Sequence, residues 1–153
     1  LNKSRRQEIR YGRKANVTTV ETDDVDLFID LYKETYERQN LPVKNIQTIR
    51  NLLDNLSLNS KLRLFASKTK EGEVGSMAAF ATDRKRAYYV FGANSSHMRD
   101  THTGTMVLWD GFELLRLSGV SEIDLEGINS PRRGYFKLSF GGDIVPYYHL
   151  KLK

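Results

Sequence analysis

The chain has 153 residues, 39% hydrophobic and 28% charged, with a formal net charge of +5, the profile of a single globular domain with room for a sizeable core. It contains no cysteine, which excludes a disulfide framework, a thiolate metal site and a cysteine nucleophile and fits a cytoplasmic protein. No run approaches the ~20 apolar residues that span a bilayer, and His97, His102 and His149 form no HxxxH or HExxH pair, so no metal site is expected.

In chain order, residues 3–15 read as a basic helix of good helix formers, thin in apolar content (Ile9, Tyr11, Ala15). Residues 1–16 are set apart as a leading or interdomain segment before a domain over 17–153. Val17 to Thr22 alternates with β-branched residues and reads as a strand. Thr22 or Asp23 offers an N-cap to a helix over 24–39, where Val25, Phe28, Leu31, Tyr32 and Thr35 recur at helical spacing. Pro42 closes that segment. A further helix over 45–56 puts Ile46, Ile49, Leu52, Leu53 and Leu56 on one side. Three strands follow, over 62–67, 74–82 and 87–93, with connections too short for crossovers and therefore antiparallel. The middle one, VGSMAAFAT, is small and apolar as a central strand requires.

A polar stretch leads to a helix over 105–117 with Leu108, Phe112 and Leu115 on its buried stripe. Gly111 in its interior marks close packing against another backbone. Residues 121–125 read as a strand reached by a crossover, hence parallel to its predecessor. Pro131 breaks the next loop, residues 135–140 form a short helical turn, and residues 144–150 form a last strand. The order predicts an α/β fold, one mixed sheet with helices on both faces. Basic residues cluster in the leading helix, at Arg84–Arg86 and at Arg132–Arg133, and such patches attract phosphates.

The order of elements is similar to the GNAT acyltransferase fold. The run YYVFGANS (88–95), the helix bearing Trp109, Gly119, IDLEG (123–127) and GYFKLSFGG (134–142) resemble more narrowly the Fem-type family. Those proteins add amino acids from aminoacyl-tRNA to peptidoglycan precursors and carry two GNAT-like domains. The resemblance implies that this chain, which begins at Leu1, is the second such domain of a longer protein, with aminoacyl-tRNA or acyl-coenzyme A as donor and a peptidoglycan precursor or other amine as acceptor. The alternatives are an acyl-coenzyme A-dependent N-acyltransferase and a non-catalytic half-domain that binds RNA or a partner protein.

The resemblance implies a catalytic role for Lys137, with Phe136 at the site. Independently, a fixed ammonium stabilises the charge that develops when an amine attacks an ester. Tyr135 is expected to shape the same site. Gly141 and Gly142 either expose backbone N–H groups or cap the helix, the commoner use of glycine there. Asp124 and Glu126, two apart on one strand, share a face; Asp124 can take the ammonium's proton, or the pair can tie an arginine such as Arg132. Asn94 and Ser95 lead toward a helix N-terminus suited to anions. Coenzyme A users typically carry Q/R-x-x-G-x-G/A there; Arg99 to Gly104 has one glycine, and Asp100 would repel phosphate. Of the aromatic residues that can line a groove (Tyr88, Tyr89, Trp109, Tyr135, Phe136, Tyr147 and Tyr148), Trp109 is carried with Tyr135 and Phe136 as a substrate contact. Arg6, Arg10 and Arg13 are the expected nucleic-acid contacts.

Overall fold

A computed structural model of the chain describes residues 1–42, 45–128, 130–148 and 150–151. The side chain of Arg132 and the whole of His149 lie outside the described residues. The elements are α1 (Lys3–Lys14), β1 (Thr18–Thr22), α2 (Val25–Glu37), α3 (Ile46–Leu58), β2 (Leu62–Lys68), β3 (Val74–Asp83), β4 (Arg86–Asn94), α4 (Thr103–Leu117), β5 (Glu122–Asp124) and α5 (Pro131–Leu138). The sheet runs β1-β2-β3-β4-β5. The first four strands are antiparallel neighbours, and β5 joins β4 in parallel after the α4 crossover.

Strand alternation fills two cores. Leu64, Ala66, Met77 and Ala79 face Phe28, Ile29, Leu31 and Leu53 of α2 and α3. Phe65, Ala78, Phe80 and Ala87 face Val107, Leu108 and Leu115 of α4. Burying a side chain such as Phe65 or Phe80, both fully enclosed, contributes about 1.5–3 kcal/mol. Asp24, rather than Thr22 or Asp23, caps α2 and accepts from Leu27 N at 2.8 Å. Gly111 does mark a close approach, but to the ring of Phe65, 3.2 Å from where a Cβ would stand, not to a backbone.

Helix α1 docks on α4. Gly12 is buried where an added Cβ would fall 2.5 Å from Met106 Cγ. Arg13 makes a two-pronged contact to the buried Asp110, and Glu8 meets His102 Nδ1 at 2.8 Å.

Three expectations are corrected. Pro131 does not break a loop; it opens α5, where its missing N–H loses no helical bond. The strand β5 ends at Asp124, and Glu126 lies past it at φ 60°, so strand alternation does not set the relation between the two carboxylates. The last strand is absent: residues 144–148 and 150 are irregular, and Ile144, Val145, Tyr147, Tyr148 and Leu150 are exposed. The strand pattern there is real, but no neighbouring strand meets it among the described residues, and an isolated strand has no ladder to hold it.

Candidate active site

A fork in the sheet makes the site. β4 and β5 pair only at Arg86–Glu122, Ala87–Ile123 and Tyr88–Asp124. On the other side of β4, Phe80 pairs with Tyr89 and Ala79 with Phe91, so Val90 is an extra residue. Such a bulge bends its strand and re-aims the side chains beside it. From Tyr89 onward β4 is free of β5, and the space between them opens.

Two cavities meet in this fork. One, about 680 Å³, lies against α2, β4 and α5 and includes Tyr36, Tyr89, Phe91, Asn94 and Arg133 in its walls. The other, about 270 Å³, lies between β5 and the irregular tail, with Ile123, Leu125, Ile128, Ile144 and Val145 as its apolar walls. Lys137 and Glu126 line both.

Lys137 is held on the last turn of α5, where a cation complements the helix dipole. Its ammonium donates to Gly127 O at 3.1 Å and lies 5.7 Å from the centre of the Tyr89 ring. Partial burial lowers its pKa below the ordinary lysine value; Arg133 adds to the effect, and Glu126 and Asp124 oppose it. Tyr89 is packed against Phe80, ring centres 5.4 Å apart. Its hydroxyl lies over Gly92, at 2.0 Å from where a Cβ would be, so only glycine leaves room for it. Burial pushes the phenol up to about 12, against a smaller opposing effect of Arg133. Tyr89 therefore remains a proton donor throughout the neutral range, and it lines the large cavity.

The other expected residues divide. Phe136 lines the large cavity and packs edge-on against Phe140 at 5.3 Å, with the Arg5 guanidinium 4.5 Å from its centre. Tyr135, one residue earlier, is 66% exposed and borders neither cavity. Asn94 lines the large cavity, its Oδ1 accepting from Ser76 at 2.9 Å. Ser95 is buried, and its hydroxyl accepts from His97 N at 3.3 Å. Trp109 packs on the α4 side of the sheet, with Phe65, Phe80 and their neighbours. Gly141 and Gly142 adopt φ 87° and 104° and line the small cavity. Asp124 is exposed at the end of β5, where its Oδ1 accepts from Glu126 N at 2.7 Å; Glu126 lines both cavities, and Asp143 lines the small one. In α1, Arg6 bonds Leu1 O and Arg10 is exposed, while Arg13 is engaged with Asp110.

Tyr89 reads in the sequence as an ordinary strand aromatic, and no motif singles out Glu126, Arg38, Arg99 or Arg133 as a site residue. The signal for Tyr89 was present in its sequence: a tyrosine three residues before the glycine of YYVFGA, a spacing that becomes meaningful only with the bulge between them. Among the described residues no group of three His, Asp or Glu side chains is disposed to hold a metal, and no helix is long and apolar enough to cross a membrane.

A mixed sheet forked between its fourth and fifth strands, with helices on both faces, is the architecture of a GNAT acyltransferase domain. The chain belongs to the acetyltransferase (GNAT) domain family, which matches residues 2–137. Its fold is similar to that of FemX (TM-score 0.75, 16% identity, covering 90% of this chain and 52% of that one). It is also similar to a GNAT family acetyltransferase from Staphylococcus aureus (TM-score 0.59, 14% identity, 89% and 98% covered). A third likeness is to an aminoglycoside acetyltransferase from an uncultured soil metagenomic sample, in complex with sisomicin (TM-score 0.57, 12% identity, 90% and 97% covered). The chain thus spans about half the length of the FemX structure. No curated protein sequence matches it.

Proposed function

We propose that this GNAT domain forms an amide in the Fem-type manner, by direct attack of an amine on an aminoacyl ester within one ternary complex. The observation that carries this is the position of Lys137 in the wall shared by the two cavities. A donor and an acceptor entering from opposite sides bring carbonyl and amine together beside its ammonium. The amine nitrogen bonds the carbonyl carbon, the ester C–O bond breaks, and the amine's proton leaves. Lys137 stabilises the oxyanion, a charge absent from the ground state. Glu126 takes the proton of the ammonium so that the neutral amine attacks, and the phenol of Tyr89 donates to the departing oxygen and is reprotonated by the proton that the nitrogen releases as the amide forms. Phe136 and Asn94 shape the large cavity, and Gly141 and Gly142 the small one. Aminoacyl-tRNA is the donor, Arg6 and Arg10 are its candidate phosphate contacts, and a peptidoglycan precursor in the cytoplasm is the acceptor. The likeness to FemX over half its length supports a second GNAT-like domain in the whole protein.

A second reading, transfer from acyl-coenzyme A, is supported by the family itself and by likeness to acetyltransferases. Against it, the approach to the first turn of α4 is taken by α1: Arg5 reaches the Thr105 hydroxyl and Glu8 meets His102. The test supplies the full-length protein with aminoacyl-tRNA and an amine-bearing peptidoglycan precursor, or with acetyl-coenzyme A instead, and reads amide product by mass spectrometry. Product that requires charged tRNA and disappears on ribonuclease treatment supports the Fem-type reading. Product from acetyl-coenzyme A alone removes it.

A further inference from the structure

The two cavities differ in electrical character. The smaller combines aliphatic walls with Lys137 and two carboxylates, Glu126 and Asp143. The larger holds four cations, Arg38, Arg99, Arg133 and Lys137, and one carboxylate, Glu126. The cations come from separate places: the end of α2, the loop after β4, and α5. Among the described residues no carboxylate pairs with Arg38, Arg99 or Arg133. The one side-chain hydrogen bond of Arg133 is a long one, 3.5 Å, to Gln39. Burial is the main cause of the lowered pKa of Lys137; Glu126 opposes it, and Arg133 adds to it to a smaller extent.

From this we infer that the acyl acceptor is an amine that carries its own anionic group, a carboxylate or a phosphate, and that Arg38, Arg99 and Arg133 hold that group in the large cavity. The inference rests on the acyl-transfer reading only in calling the ligand an acceptor. An ordinary alkylamine reaches the protein as an ammonium. A cavity with a surplus of three positive charges repels it. An anionic group on the same molecule reverses this effect, because guanidinium forks bind carboxylate and phosphate in two-pronged fashion. Once bound, the amine sits among cations that favour its neutral, reactive form. The phosphates of the proposed donor have their candidate contacts on α1, at Arg6 and Arg10, which leaves the cleft cluster to the acceptor.

The test reads binding and needs no turnover. Side-chain guanidinium NMR signals of the full chain are followed during titration with phosphoethanolamine, β-alanine and ethanolamine, which share a primary amine and differ in carrying a phosphate, a carboxylate or neither. The expected result is at least tenfold tighter binding of one or both anionic amines than of ethanolamine, with the preferred one naming the group. The preference should fall at least tenfold in R99Q/R133Q and persist in R84Q/K85Q, which removes two charges from the β3–β4 turn. Equal binding of all three amines overturns the inference, as does a preference that survives R38Q/R99Q/R133Q. A third overturning result is loss of coenzyme A binding in R99Q/R133Q with amine binding unchanged, which would assign the cluster to donor phosphates. Selective binding without amide formation in the transfer assay would leave this inference standing and remove the proposed reaction.

Discussion

Two basic regions of this domain are built differently: one is a run of arginines and lysines along α1, and the other is assembled from Arg38, Arg99 and Arg133, which lie far apart in sequence. At the α1–α4 junction the arginines have partners: Arg13 holds Asp110, and Arg5 lies over Phe136 and Phe140. In the cleft, Arg38, Arg99 and Arg133 line the large cavity, and among the described residues none of them is paired with a carboxylate. A positive charge with a fixed partner is part of the framework, and one without a partner is available for a ligand. Charge density along the chain cannot separate these cases, because the deciding partner, such as Asp110 for Arg13, is distant in sequence.

If that division holds, substitutions in the cleft lower turnover with little change in stability, and substitutions at the junction do the opposite. The largest effect is expected for Lys137→Ala: kcat should fall about 10²–10³-fold, as for removal of an oxyanion donor, with the circular dichroism spectrum unchanged. Tyr89→Phe follows, with a drop of about a hundredfold in kcat if its proton transfer contributes at the lower end of general acid catalysis, and with KM largely preserved. The pH profile sharpens the same side. Because the folded-state pKa of Lys137 lies below its ordinary value of 10.5, the ammonium is present at low pH and lost as pH rises through that lowered value. The basic limb of activity should therefore begin below 10.5, and Lys137→Arg should move it upward in whatever activity remains. The sign for stability is opposite to that of a salt-bridged lysine: the unfolded chain keeps its proton longer, so stability rises with pH between the two values, and Lys137→Met should flatten that rise in urea titrations.

On the junction side, Gly12→Ala places a methyl group against Met106 and should destabilise the fold by about 1–3 kcal/mol, the usual effect of overpacking. Arg13→Met leaves Asp110, whose side chain is 10% exposed, without its cation. A loss of about 1–2 kcal/mol is expected, since one end of the pair is open to solvent. Urea midpoints measure both. A large loss of kcat with normal stability in Gly12→Ala would show that α1 belongs to the active site and would erase the contrast.

What could be read from sequence follows the same physics. The α2 stripe (Phe28, Leu31, Tyr32, Thr35) and the small apolar run of β3 were legible because periodicity and burial coincide there. Lys137 was legible through its motif, and it does lie in the cleft. Tyr135 was not: helical spacing turns it outward while Phe136 and Lys137 turn in, and the extent of α5 from Pro131 decides which is which. Tyr89 was hidden because a strand's alternation is continuous until a bulge interrupts it, and Val90 has no residue type that marks an insertion. The segment after Gly142 has the composition of a strand, yet pairing needs a neighbour, and composition does not record one.

The extra residue at Val90 makes the arrangement of this domain sensitive to chain length at a single point. Removing it would put Tyr89 and Gly92 on a continuous alternation with β3, shift the phenol off its glycine seat, and let β4 run on alongside β5. A shorter protein of this kind would gain a better-knit sheet and lose the wedge-shaped opening, so the room in which two molecules can react is obtained by leaving strand pairing unfinished.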